Sequence, residues 1–227
     1  MSAGFMEDDA AGTTANDYEF TLAGSADEIN PLLIKGELDI AAVPTNVASV
    51  LYNKTEGQVE ILALNTLGVL YVVENGDSIQ SIEDLRGKTV YSTGQGATPE
   101  YALNYILSEN GMTVGTDVTV EYKSEHSELA ALLAAGQADI AVLPQPFVTS
   151  VLTQNPDVRI ALDLTEEWDK VSPDSALVTG VVVARKEFVE QNEAAFNEFL
   201  EDYKASTEFV NANVDEAAAL VAGYEIV

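Results

Sequence analysis

The chain has 227 residues, 47% of them hydrophobic, which is enough to bury the core of one large domain or two small ones. Its 38 acidic and 10 basic side chains give a formal net charge of −28. This balance argues against nucleic acid and anionic membrane surfaces as partners, because binding either one needs clustered Lys and Arg. Cysteine is absent, which excludes disulfides, thiolate catalysis and Cys-based zinc sites. No apolar window approaches the roughly 18 residues that a membrane-spanning helix needs.

In chain order, the first predicted elements are a strand at residues 18–22 and a helix at residues 26–35. The helix begins at a capping box, with Ser25 as the N-cap and Glu28 three residues later. The acidic run at residues 7–9 is predicted to be solvated surface. Further strands, rich in β-branched and aromatic residues, are predicted at residues 59–64, 67–73, 89–91, 118–122, 158–162 and 176–183. Further helices are predicted at residues 47–52, 101–108, 124–135, 147–152, 164–171, 190–212 and 215–222.

One helix–strand–loop–helix unit occurs twice, at residues 33–46 and 133–146. The copies share Gly, Asp-Ile-Ala and Pro in register, at an offset of 136 − 36 = 100 residues. The Gly is predicted to end a helix, because Gly adopts positive φ at the C′ position at little cost. The Asp leads a short buried strand that the Pro stops. The loops at Pro44 and Pro144 therefore lie at the carboxyl ends of strands, where open α/β sheets bind ligands.

Strands alternate with helices, which predicts an α/β fold of βαβ units around parallel sheets. The repeated unit predicts two similar lobes. Lobe 1 is assigned residues 1–66 plus 185–227, and lobe 2 is assigned residues 67–184. Polar residues at the useful ends of strands are Asn46, Asn65 and Thr66. Turn chemistry and ligand contact are equally supported for these residues.

The loop Gly94–Gln95–Gly96 lies between a predicted strand and a helix that Thr98 caps and Pro99 begins. Its backbone N–H groups could bind an anion, or the loop is a tight strand–helix turn. It is neither a dinucleotide fingerprint nor a P-loop, because Pro99 stands at the third Gly position and no Gly-Lys-Ser/Thr follows. Tyr101 opens the helix beside this loop and is a candidate stacking residue, with core packing as its alternative.

His126 is the only histidine, so a His-rich metal site is excluded. A Ser-His-Asp triad would have to use it, but Ser124 and Ser127 are too near in sequence and no G-x-S-x-G elbow exists. No catalytic and no metal-binding residue is therefore predicted. His126 is predicted to be a surface or capping residue, with ligand contact as the alternative. Asp39 and Asp139 are predicted to be structural, because each starts its strand at the end opposite the Pro loops.

Three parts of the sequence resemble one known family. They are the two Gly-x-x-Asp-Ile-Ala-x-x-Pro units, the segment Asp84-Leu85-Arg86-Gly87-Lys88-Thr89-Val90 and the loop Gly94–Thr98. These parts resemble ABC-transporter substrate-binding proteins of the SsuA/THI5-like branch, which includes binders of sulfonates, nitrate and pyrimidine precursors. The resemblance covers residues 18–224. It implies a type II periplasmic-binding-protein fold, in which each of two α/β lobes is a mostly parallel sheet flanked by helices.

The resemblance also implies a ligand cleft between the lobes and a hinge of two crossover strands, near residues 62–70 and 177–184. The ligand contacts that it implies are Pro44, Thr45, Asn46, Asn65, Thr66, Gly94, Gln95, Gly96, Ala97, Thr98, His126, Gln145 and Thr179, to which its position adds Tyr101. In the family, a strand and a ligand-contacting loop precede the residues present here. The resemblance therefore implies that this sequence lacks that strand and some C-terminal residues.

The function that the resemblance implies is that of a non-enzymatic, extracytoplasmic solute-binding protein of an ABC importer. Such a protein is monomeric, needs no cofactor, closes its hinge around a small-molecule solute, and is read by a permease in the membrane. It would lie in the periplasm or at the cell surface as a lipoprotein, with its signal and anchor outside these residues. Two alternatives stay open: a pyrimidine-synthesis-type enzyme of the THI5-like branch, and a ligand-sensing domain of a regulator.

Two ligand chemistries stay open. No Lys or Arg falls inside the predicted ligand loops, so a small sulfonate- or nitrate-like anion would depend on backbone N–H groups, helix N-termini and hydroxyls. A heteroaromatic, pyrimidine-like solute would instead use the amides of Asn46, Gln95 and Gln145. Its ring would stack on Tyr101 or Phe147.

Overall fold

The structure is a computed structural model that describes residues 2–23 and 26–224. The helices are α1 Ser2–Ala10, α2 Ala26–Lys35, α3 Thr45–Lys54, α4 Thr98–Glu109, α5 His126–Ala134, α6 Phe147–Gln154, α7 Leu164–Val171, α8 Lys186–Gln191, α9 Glu193–Ala212 and α10 Val214–Gly223, with a 3-10 helix at Ile82–Leu85. The strands are β1 Ile40–Pro44, β2 Val59–Leu67, β3 Leu70–Asn75, β4 Thr89–Ser92, β5 Thr119–Tyr122, β6 Ile140–Pro144, β7 Val158–Asp163 and β8 Val178–Arg185. Strands and helices alternate along much of the chain, which confirms the predicted α/β fold.

The chain divides into two compact units. Unit 1 holds the residues up to Val43, the segment Ala48–Asn65 and the residues from Val182 onward. Unit 2 holds Pro44–Val47 and Thr66–Val181. The strands form one sheet in the order β1-β8-β2 and another in the order β5-β4-β6-β3-β7.

The sheet of unit 2 has one strand that opposes the others. β4 pairs in parallel with β5 and β6, whereas β3 pairs antiparallel with β6 and β7. Four of its strands therefore run the same way, as the sequence predicts for a mostly parallel sheet. Val72 and Val142 pack in one apolar cluster and Val73 and Ala141 in another. Successive residues of a strand point to opposite faces, so the sheet is buried on both sides.

Unit 1 contains a helix that the sequence analysis misses. α1 buries Phe5 to 3% exposure. The Phe5 ring meets those of Tyr18 and Phe20 edge-on at centroid distances of 4.4 and 5.1 Å. Its backbone N–H donates to the Ser206 hydroxyl at 2.9 Å. The prediction of a strand at residues 18–22 is wrong: the segment is irregular, and its alternating aromatic residues pack on α1 rather than join a sheet.

The helix ends of the repeated unit are as predicted. Gly36 and Gly136 have φ of 77° and 67°. Their N–H groups donate to Leu33 and Leu133, three residues back, and the following residue in each copy donates five residues back. This pair of bonds is the Schellman motif that closes a helix at a left-handed residue. The N-cap predicted at Ser25 lies outside the described residues.

The turn predicted at Asn65 and Thr66 is wrong. β2 continues through both residues to Leu67, and the chain turns at Gly68 and Val69, with φ of 68° and 72°. A Cβ on Gly68 would lie 2.3 Å from a Thr165 hydroxyl oxygen, so this position needs glycine for space as well as for φ.

Candidate functional site

The carboxyl end of the unit 2 sheet gathers several polar loops. The register places Ser92 at the end of β4 opposite Tyr122 at the end of β5. Leu70, which begins β3, lies opposite Pro144 at the end of β6, and Tyr71 lies opposite Asp163 at the end of β7. The strands that share one direction therefore end together, which is where open α/β sheets bind ligands.

The Gly94–Thr98 loop follows β4 and is joined to Asn46, also in unit 2. Gly94 and Gly96 both have positive φ, of 70° and 76°. The Asn46 amide donates to the Gly96 carbonyl at 3.3 Å and accepts from the Thr98 hydroxyl at 3.1 Å. Thr98 was predicted to cap α4, but the N-cap position is Ala97 and the Thr98 hydroxyl serves Asn46 instead. These three sequence-predicted contacts therefore form one hydrogen-bonded cluster.

Glu100 holds one of the backbone N–H groups of this loop that an anion could use. The Gly96 N–H donates to Glu100 Oε2 at 2.5 Å. A Glu in the first turn of a helix can accept a hydrogen bond from a backbone N–H that precedes the helix, much as in a capping box. Burial, together with the nearby Glu100 carboxylate, raises the pKa of Tyr122 to about 12. The loop therefore carries a negative charge of its own beside a tyrosine that stays protonated at neutral pH.

His126 begins α5 and pairs with a buried threonine. Its Nδ1 lies 2.5 Å from the hydroxyl oxygen of Thr93, which is 1% exposed at the end of β4. The ring lies 5.2 Å from that of Phe147, centroid to centroid. Burial lowers the pKa of His126, and the Glu125 carboxylate partly offsets this shift. The imidazole is therefore neutral at pH 7, when Nδ1 can accept the threonine proton or donate its own.

Gln145 lies in the loop after β6 and is already committed to the backbone. Its N–H donates to the Val69 carbonyl at 3.0 Å. Its side-chain oxygen accepts from the Thr149 N–H at 3.2 Å and from the Thr149 hydroxyl at 2.9 Å. Gln145 thus satisfies the first turn of α6, leaving its amide NH₂ as the group that a solute could meet.

A cation lies between β5 and His126, at a position that the predicted ligand contacts do not include. Lys123 directly follows β5, and its N–H donates to the Ser92 carbonyl at 2.8 Å. Its ammonium lies 5.4 Å from the centre of the Tyr91 ring, within cation–π range. The loop that leads to His126 therefore brings a positive charge to the carboxyl end of the sheet.

The remaining predicted contacts bond to nearby backbone or lie exposed. The Thr45 hydroxyl donates to the Val178 carbonyl at 2.9 Å, and the Thr179 hydroxyl donates to the Thr66 carbonyl at 3.3 Å. Asn65 belongs to unit 1 and is half-buried. The remaining residues are Pro44 and Gln95, both exposed, half-buried Ala97, and Tyr101, which is 56% exposed on the first turn of α4.

Four residues of the site are not among the predicted ligand contacts: Thr93, Glu100, Tyr122 and Lys123. Thr93 stands between a strand and the glycine loop, a place that would have identified it. Glu100 is three residues after the N-cap, the position from which a carboxylate reaches back. No sequence signal places Tyr122 near Glu100, because their proximity depends on the pairing of β4 with β5. Among the described residues, no group of three or more acidic, His or Cys side chains could hold a metal ion, and no helix is both long and apolar enough to cross a membrane.

A model of the family described as "ABC transporter, phosphonate, periplasmic substrate-binding protein" matches residues 9–223. The chain belongs to this family. The predicted resemblance to ABC-transporter substrate-binding proteins is thereby confirmed. A protein of Brucella abortus (strain 2308), named only as a binding protein, is 25% identical over 77% of this chain and 52% of its own length. The chain therefore spans about half the length of the curated relatives that it matches.

Solved structures share the fold of this chain. The crystal structure of an ABC transporter from Parabacteroides distasonis has a TM-score of 0.77 at 24% identity, covering 99% of this chain and 75% of that one. The periplasmic aliphatic sulphonate binding protein SsuA of Escherichia coli has a TM-score of 0.71 at 16% identity, covering 88% and 65%. These structures confirm the type II periplasmic-binding-protein fold.

Proposed function

We propose that this chain is the solute-binding component of an ABC importer and works outside the cytoplasm. In this proposal, the loops at the carboxyl end of the unit 2 sheet form one wall of the ligand site, closure on a hinge completes it, and a membrane permease receives the solute. The family description supports the transport role. The observation that carries the assignment of the site is the cluster of Asn46, Gly96 and Thr98 at the place where such sheets bind ligands.

The solute that we propose is a small oxyanion with one phosphonate or sulfonate group. The description of the family names phosphonate, and one structural neighbour is named as an aliphatic sulphonate binding protein. Within unit 2, the Lys123 ammonium and the amino-terminal end of α4 supply positive charge and donors. The Thr98 hydroxyl donates to the Asn46 amide oxygen and so holds that side chain in place. A pyrimidine-like solute is the alternative that the exposed Tyr101 ring and the Gln145 amide would suit.

Thermal unfolding with added solutes tests this proposal. Methylphosphonate, methanesulfonate, nitrate and 4-aminopyrimidine are compared at equal ionic strength. A ligand at 100 times its Kd stabilises the native state by about 2.7 kcal/mol. We expect a phosphonate or sulfonate to raise the unfolding temperature, and we expect Asn46→Ala and Thr98→Val each to weaken that effect.

Thr116→Val is the matched control, because Thr116 is an exposed threonine of unit 2 in the turn before β5. It should leave the ligand effect intact. If 4-aminopyrimidine alone stabilises the protein, the solute is heteroaromatic and not an oxyanion. Stabilisation by an oxyanion that both site variants retain would place the site elsewhere, and no response to any of the four solutes would contradict the proposed ligand classes.

A further inference from the structure

Unit 1 contains a cavity that none of the predicted ligand contacts lines. Its volume is about 320 Å³, which is within the range of small-molecule sites. It lies where the last turns of α2 and α3 approach the start of β2 and the end of β8. The buried side chains of Leu33 and Val59, 1% and 2% exposed, contribute its apolar wall.

Basic residues are concentrated around this cavity. Only 10 of the 227 residues in the chain are Lys or Arg, yet the cavity is lined by Lys35, Lys54 and Arg185. One acidic residue, Glu187, also lines it. In a protein with a net charge of −28, most of the surface repels anions, so a locally cationic concavity is where an anion gains most.

The three cations differ in how they are held. The Arg185 guanidinium is fixed by the Leu38 carbonyl at 3.1 Å and by the Asp39 carboxylate at 2.6 Å. It also lies 3.4 Å from Glu187. Lys35 and Lys54 form no ion pair with the described carboxylates. Lysine in the last turn of a helix also complements the helix dipole, but the dipole does not explain why both ammonium groups border the same apolar-walled cavity.

We propose that this cavity is a second binding site, for a small organic dianion whose negative groups are joined by a short apolar spacer. The ammonium groups of Lys35 and Lys54 would bind the negative groups, and the spacer would pack on the wall formed by Leu33, Ile34 and Val59. Arg185 fixes the position of the end of β8, and its charge is balanced by Asp39 and Glu187, which leaves the two lysines as the cations that bind the ligand. The site is independent of the loops of unit 2, so it does not depend on the transport role proposed above.

Isothermal titration with linear dicarboxylates tests the proposal. Succinate, glutarate and adipate are titrated into the full chain at pH 7.5, with glutaramide as the neutral analogue and sulfate as the compact dianion. We expect glutarate or adipate to bind and glutaramide not to bind. The variant Lys35→Gln/Lys54→Gln should raise the Kd at least ten-fold, whereas Lys35→Arg/Lys54→Arg should keep it within about three-fold, because charge is retained.

Two further variants test whether binding depends on the net charge of the protein and on the apolar wall of the cavity. Lys88→Gln/Lys204→Gln makes the same change in net charge away from the cavity and should leave the Kd unchanged. Ile34→Ala, at a side chain that is 50% exposed, should weaken adipate but not sulfate. Failure of glutarate and adipate to bind, or equal loss in the two Lys→Gln pairs, would overturn the proposal. Loss of dianion binding in Asn46→Ala would assign the binding to unit 2 instead.

Discussion

Replacing Glu100 with glutamine gives the sharpest test of the proposed oxyanion site. The Glu100 carboxylate accepts the Gly96 N–H at 2.5 Å, so it occupies one of the donors that an oxyanion would seek at this loop. An arriving anion either displaces it or binds a few ångströms away, and both cost free energy. Glutamine keeps a hydrogen-bond acceptor of the same length and removes the charge, so Glu100→Gln should bind an oxyanion more tightly than the wild type.

The size of this effect follows from Coulomb's law. Two unit charges about 4 Å apart repel by roughly 1 kcal/mol in water and by roughly 4 kcal/mol at an effective dielectric constant of 20. Glu100 is half-buried, and the Gly96 N–H that it binds is exposed, so the lower figure applies. About 1 kcal/mol corresponds to an approximately five-fold lower Kd. The assay is isothermal titration with methylphosphonate or methanesulfonate at fixed ionic strength.

The control is Glu109→Gln, which makes the same charge change at the other end of α4. Glu109 follows Glu100 by nine residues, which is roughly 13 Å along a helix and beyond the Debye length of about 8 Å at physiological salt. It should leave the Kd unchanged. Weaker oxyanion binding by Glu100→Gln would refute this reasoning, because the carboxylate would then support binding of the anion rather than oppose it. Equal tightening in both variants would show that only net charge matters.

Three further predictions concern stability. Phe5→Ala should lower the free energy of unfolding by about 3–5 kcal/mol in denaturant titrations, against about 0.5 kcal/mol for the exposed control Tyr52→Ala; a small loss would mean that α1 does not pack as described. Gly68→Ala should lower the free energy of unfolding more than Gly111→Ala does. Both positions have φ of 68°, but only at Gly68 would the Cβ meet a side chain. Equal losses of stability would mean that backbone strain is the whole effect and that the side-chain clash contributes nothing. Since burial lowers the pKa of His126, the unfolded chain takes up its proton first as pH falls, so unfolding at pH 7 and pH 5 should show stability decreasing below about pH 6.5. His126→Gln should lack that part of the decrease, and an identical pH profile would contradict the shift.

Features of the fold set by neighbouring residues could be predicted from the sequence. Gly36 and Gly136 close their helices through bonds to residues three positions back, so the signal and the structure lie in the same short segment. The alternation of strands and helices is equally local, because a strand and a helix each need one apolar pattern of their own period. The order β5-β4-β6-β3-β7 follows from no local pattern, since it depends on how distant strands pair.

α1 shows why some local patterns mislead. Apart from Phe5 and Met6 its residues are small or acidic. Phe5 is buried by contacts with Ser206, 201 positions away, and with the aromatic rings of Tyr18 and Phe20. The same contacts draw Tyr18 and Phe20 out of the strand that their alternation favours. Tertiary packing therefore overrides local propensity both in α1 and at residues 18–22. The contacts that cause this are not encoded in either segment alone, so no local pattern predicts them.

The sequence predicts which loops contribute to the candidate site, but not which of their residues hydrogen-bond to each other. Asn46 and Thr98 were both selected because each follows a strand, yet their bond joins residues 52 positions apart. The position of the turn between β2 and β3 also depends on distant pairs. Asn65 is a better turn former than Val69, but Leu70 must begin β3 opposite Pro144, and the Val69 carbonyl must accept the Gln145 N–H.

These pairings place the reversal at Gly68 and Val69. A β-branched residue with φ of 72° costs on the order of 1–3 kcal/mol, and such strain persists only where the surrounding structure over-determines it. Val69, the strained residue, accepts a hydrogen bond from the backbone N–H of Gln145. The position of this candidate ligand contact is therefore coupled to the turn between β2 and β3. A substitution that relieves the strain, Val69→Gly, would stabilise this turn only if the freedom that it adds to the unfolded chain costs less than the strain it removes.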